Sequence, residues 1–80
     1  MEPIEYTQAL ALITEAQQAG RSRIQALREH RAISQEDFAS LTGIPIARVR
    51  GEEIGRFELS KDELETVAVL LGISPTLLFP

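Results

Sequence analysis

The stretch "SQEDFASLTGIPIARVRGEEIG", residues 34–55, decides the fold. Ser34 supplies a hydroxyl able to cap a helix start, and Gln35, Glu36 and Asp37 follow it, two of them acids suited to the positive end of a helix. The helix they open should run to about Leu41. Thr42-Gly43 then makes a turn, and Pro45 suits the first position of a second helix, where its missing N–H would have no partner anyway. Counted from Gln35, Ala39 is fifth, Gly43 ninth and Val49 fifteenth. Each offset has a steric reason. Ala39 is small where the second helix crosses beside it. Gly43 can take positive φ in a turn too short for a residue bearing a Cβ, and Val49 faces inward to lock the crossing angle.

Helical periodicity continues on both sides. Residues 3–19 place Tyr6, Ala9, Leu10, Ile13 and Ala16 on one face, and Gly20 follows in a left-handed cap position. Residues 21–31 repeat the spacing through Ile24, Leu27 and Arg31. On the other side, Ser60 to Glu63 is a capping box that opens a helix through Leu64, Val67, Ala68 and Leu71, ended by Gly72. Ser74-Pro75 starts a last turn or two through Leu77, Leu78 and Phe79. No segment alternates at period two. The expected architecture is all-α, a bundle of five helices, with an N-terminal amphipathic helix in residues 1–20 added to a domain in residues 21–80.

Composition narrows the chemistry. Eighty residues, 44% of them hydrophobic and 25% charged, suit one folded domain with one core. There is no cysteine, which excludes a disulfide framework and a thiolate zinc site. His30 is the only histidine, and no glycine-rich phosphate loop is present. Catalysis, a metal and a cofactor are therefore not expected. No apolar run is long enough to span a bilayer, and Glu2 and Glu5 stand where a signal peptide would be basic, so a cytoplasmic protein is expected.

The net charge of −4 hides an uneven distribution. All eight Lys and Arg residues lie between Arg21 and Lys61, against six acids in that span, giving +2 there. Residues 1–20 and 62–80 each carry three acids and no base. A mildly basic middle is compatible with weak, salt-sensitive contact to nucleic acid. An ordinary solvated surface has the same pattern.

Over about residues 21–79 the sequence resembles the Cro and phage-repressor type (XRE-like) of helix-turn-helix proteins. The resemblance rests on Leu27-Arg28-Glu29, Ile33-Ser34-Gln35-Glu36, Ala39, Gly43-Ile44, Val49, Glu53-x-Gly55 and Leu70-Leu71-Gly72-Ile73-Ser74. It implies a repressor-like bundle and a DNA-binding regulator whose helix-turn-helix spans residues 35–54. It also implies an ion pair, partly buried, between Arg28 and Glu53. Gln35 would clamp a phosphate or reach a base, and residues 45–51 would form the face of the recognition helix. Pro45, Ile46, Ala47, Arg48, Arg50 and Gly51 thus become candidate DNA contacts, with Arg56 against the backbone. Arg48 and Arg50 could make forked contacts to guanine or phosphate, and Ile46 or Ala47 could touch a thymine methyl. Taken singly, each arginine would be a solvated surface charge.

Three positions depart from the family pattern. Pro45 stands for a hydroxyl cap, Gly51 brings no side chain, and Glu52 occupies a place usually filled by Trp, Leu or Ile, with Ile54 expected to take over that inward role. Few polar groups remain on the reading face. A homodimer would double them, and Tyr6, Leu10, Ile13, Leu77, Leu78 and Phe79 are the candidate surface for a second copy or a protein partner. The expectation is a dimeric, sequence-specific transcriptional regulator, acting as a repressor on double-stranded DNA. The alternative is a protein-interaction module, such as an antitoxin or anti-regulator, that uses Ile46-Ala47 with Ile54 or Phe57.

Overall fold

In chain order the helices are α1 (Tyr6–Gln18), α2 (Arg23–His30), α3 (Gln35–Thr42), α4 (Ile46–Glu53) and α5 (Lys61–Leu71), followed by a 3-10 turn at Pro75–Leu77. The computed structural model describes residues 2–79; Met1 and Pro80, the outermost residues of the two expected segments, lie outside the described residues. No strand occurs among the described residues, and none of their helices is long and apolar enough to cross a membrane.

Local chemistry sets most helix boundaries. Ser22, Ser34 and Ser60 each stand before a helix and accept the backbone N–H of Gln25, Asp37 and Glu63 respectively. At Ser60 the capping box is complete, because the Glu63 carboxylate also accepts the Ser60 N–H at 2.8 Å. Three starts differ from expectation, α2 among them, which begins two residues late at Arg23 behind its Ser22 cap. Helix α1 begins at Tyr6, three residues late, because Ile4 is pulled into the core in an extended segment and its N–H donates to the Gly72 carbonyl at 3.0 Å. Pro45 is the residue before α4, not its first: with ψ 139° it is extended, and its carbonyl accepts the N–H groups of Arg48 and Val49.

One core gathers all five helices. Phe38, Leu27, Leu71, Val49 and Val67 are fully buried, and Ile4, Ala9 and Ile13 from the N-terminal segment belong to the same cluster. Helix α1 packs mainly on α2, α3 packs on both α4 and α5, and the C-terminal turn lies on α5. The arginine expected on the apolar stripe of α2, Arg31, reaches across instead. Its Nη2 donates to the carbonyls of Leu71 and Glu2, tying the N-terminal extension to the end of α5.

The connection from α2 to α3 places Ala32 at φ 58°. A left-handed alanine costs roughly 1–2 kcal/mol. Arg28 holds it there, since its Nη1 donates to the Ile33 carbonyl at 2.7 Å.

Candidate nucleic-acid interface

The turn between α3 and α4 is built as its residues require. Gly43 sits at φ 74° and its N–H closes α3 on the Ala39 carbonyl at 2.9 Å. The Thr42 hydroxyl donates back to the Phe38 carbonyl at 2.8 Å and accepts the Ile44 N–H at 3.2 Å, tying the end of α3 to the turn. Val49 turns inward and is buried against the core. Ala47, Arg50 and Ile54, spaced three and four residues apart, are exposed along the opposite face of α4 and its end.

The far end of α4 is pinned by charge. Arg28 donates from Nε and Nη2 to the two oxygens of Glu53 at 2.8 and 2.9 Å, and the side chains are 9% and 2% exposed. The hydrogen bonds that Arg28 donates to Glu53 raise the Arg28 pKa above its ordinary value, against the desolvation that lowers it. Gln35 completes the group by donating its Nε2 to Glu53 at 3.0 Å. Its amide oxygen faces Arg50, which donates to it at 3.4 Å and pairs with Glu36 at 3.2 Å. Gln35 therefore links the buried pair to the exposed arginine.

Arg48 has other company. It donates from Nε and Nη2 to Glu63 of α5 at 2.7 and 2.5 Å, and its guanidinium carbon lies 5.0 Å from the centre of the Phe57 ring. The Arg48 hydrogen bonds hold the Glu63 carboxyl down at about 2, and Glu63 in turn raises the arginine. Phe57 lies over Gly51, which explains why Gly51 is buried although Ala47 and Ile54 beside it are exposed. Arg56 is exposed, and its side chain makes no hydrogen bond or ion pair among the described residues. Pro45 is exposed and Ile46 half-buried.

Two expectations need correction. Ile54 does not take an inward role: it is 72% exposed, because α4 ends at Glu53 and the chain leaves the helix there. Glu52 itself turns toward α2, accepting the Ser22 hydroxyl at 2.6 Å. Its burial pushes its pKa up, only partly relieved by that hydrogen bond. In the candidate partner surface, Ile13 is 4% and Leu78 3% exposed, both packed into the chain's own core. Tyr6 and Leu10 are exposed, and Leu77 and Phe79 half-buried.

The arginine contacts of three residues around the face were not read from the sequence: Glu36, Phe57 and Glu63. Glu63 was legible only as a cap, and a capping glutamate keeps one carboxylate edge free for a neighbour. Phe57 had one clue, the glycine at 51, since a helix-interior glycine marks a close approach.

A family profile described as Helix-turn-helix matches residues 24–78. No curated protein and no solved structure matches the chain significantly. The match takes in the capped α3, the Gly43 turn, α4 and its Arg28–Glu53 anchor, and ends within the C-terminal turn. The chain belongs to the Cro and phage-repressor type (XRE-like) helix-turn-helix family of DNA-binding regulators.

Proposed function

We propose that the protein is a homodimeric transcriptional repressor that lays α4 in the major groove of a two-fold operator. Two copies about 34–36 Å apart would occupy successive major-groove faces and occlude a promoter. The observation that carries this reading is the anchoring of α4 at both ends, by the Gly43 turn and by the Arg28–Glu53–Gln35 group, which leaves Ala47 and Arg50 outward on a rigid helix. Arg50 would contact a guanine or a phosphate, Ala47 a thymine methyl, and Arg56 the backbone. One copy offers few cations, so its binding should be weak with a shallow salt dependence, and a second copy adds contacts and raises affinity through effective concentration.

The test is a gel shift with DNA from immediately upstream of the protein's own gene and a mixed-sequence duplex of equal length, at two salt concentrations. The upstream fragment should be retained in preference, and Arg50→Ala should weaken that retention. Equal retention of both duplexes would remove sequence-specific reading.

A second reading is favoured by one feature. Ile54 and Leu41 are 72% and 60% exposed, apolar side chains at the ends of α4 and α3. With Ile46, Ala47 and Phe57 they would suit a protein partner, as in an antitoxin or anti-regulator. Failure to retain either duplex at low salt would make this the better account.

A further inference from the structure

We propose that Glu63, on α5 and outside the helix-turn-helix, sets DNA affinity by holding the Arg48 side chain away from the groove. This inference rests on the DNA-binding reading of α4. Arg48 belongs to the first turn of α4, yet its fork is spent on Glu63, with Nε and Nη2 on the two carboxylate oxygens at 2.7 and 2.5 Å. Those are the donors that would grip a phosphate or the O6 and N7 atoms of guanine. The flat face of the guanidinium is taken as well, by Phe57 at 5.0 Å. One edge and one face of the guanidinium are thus already engaged within the chain, while Nη1 makes no hydrogen bond among the described residues.

The holder is itself held. Glu63 accepts the Ser60 N–H at 2.8 Å and donates its own N–H to the Ser60 hydroxyl at 3.2 Å. It is placed by the start of α5 whatever Arg48 does. Phe57 can reach Arg48 because Gly51 leaves room, its ring lying 2.5 Å from where a Cβ would stand. With its carboxyl held at about 2, Glu63 stays ionised throughout the physiological range. Release must come from competition by DNA acceptors, not from protonation. Glu63 is accordingly a positioning residue that acts through Arg48.

Glu63→Gln separates the two jobs of this side chain. The amide oxygen can still accept the Ser60 N–H, since Gln serves in a capping box, while the charge that holds Arg48 is gone. Glu63→Asp keeps the charge and shortens the reach. Binding of the upstream fragment and of the mixed-sequence duplex is measured by fluorescence anisotropy across a salt series, for wild type, both variants, Arg48→Ala, and Arg48→Ala with Glu63→Gln. Helical content is checked by circular dichroism.

Glu63→Gln should bind both duplexes about three- to tenfold tighter at low salt, with log K against log salt steeper by about 0.9, the increment of one phosphate contact. Glu63→Asp should move in the same direction, and Glu63→Gln should have no effect once Arg48 is alanine. Unchanged affinity in both Glu63 variants overturns the proposal. So does a gain that persists without Arg48, or one seen with Gln but not Asp, because either would mean simple repulsion between Glu63 and phosphate. If neither the wild type nor any variant binds either duplex, the DNA-binding reading itself falls, and this inference with it.

Discussion

Phe57 occupies the space a side chain at Gly51 would need: two of its ring carbons lie 2.5 and 2.6 Å from the position of a Cβ there. The absence of a side chain at Gly51 is what lets Phe57, six residues on and past Gly55 and Arg56, fold back over α4 and reach Arg48. Alanine in place of a helix-interior glycine normally gains about 1 kcal/mol. Gly51→Ala should gain much less, because it displaces the ring and its contact with Arg48. In a Phe57→Ala background the same substitution should recover the full gain. Urea denaturation of the four variants checks this, and equal effects in both backgrounds would contradict the coupling.

Arg28 and Glu53 form the other decisive contact, a forked pair out of water. Removing either partner leaves a buried charge, so Arg28→Ala or Glu53→Ala should each cost about 3–5 kcal/mol. Against a total stability of about 5–15 kcal/mol for a domain, either variant comes near unfolding. Replacing both by Met and Leu should cost less than the sum. Chemical denaturation supplies the cycle, and strictly additive losses would mean that the two charges do not support each other.

Two carboxylates give stability opposite pH dependences. Burial raises Glu52 above the ordinary value of 4.5, so its folded form holds a proton more tightly than the unfolded chain does. The stability it contributes is present below 4.5 and lost as pH rises through the folded value. Glu52→Gln should therefore raise the Tm near neutral pH and change it little in acid. Glu63 is shifted the other way, to about 2, chiefly by the Arg48 hydrogen bonds. Its contribution is present above 4.5 and fades as pH falls toward about 2, so Glu63→Gln should flatten the acid side of the melting profile. Thermal melts over this range measure both, and parallel profiles for wild type and Glu52→Gln would remove the first claim.

The surface for a second copy is smaller than the apolar periodicity suggested, and substitutions must respect that. Tyr6→Ser with Leu10→Ser changes exposed positions, and should leave the melt nearly unaltered while shifting sedimentation toward monomer and lowering DNA affinity. Leu78→Asp places a charge in the core and should unfold the chain instead. A double variant that still sediments as a dimer would move the interface elsewhere. A wild-type monomer at high concentration would remove the homodimer.

What the sequence determined by itself is what depends on near neighbours along the chain. Hydroxyl caps at Ser34 and Ser60, the left-handed turn at Gly43 and the inward periodicity of α2, α3 and α5 are local devices, each acting within a turn or two. They suffice for five helices and for the family. Periodicity also overreached where it was local: Ile13 and Leu78 lay on apolar stripes with no sign of whether the chain itself would cover them. The contact between Arg28 and Glu53 is not written in any helical spacing, and its expectation came from the family pattern alone.

Only the tertiary structure decided where the long side chains end. Arg48 and Arg50 look alike in the sequence, two residues apart on one helix, yet one reaches to α5 and the other to α3. A guanidinium on its flexible stem finds whichever carboxylate the packing of other helices brings within reach. That is set by the approach of α5 and the loop carrying Phe57, distant in the chain and fixed only when the core closes.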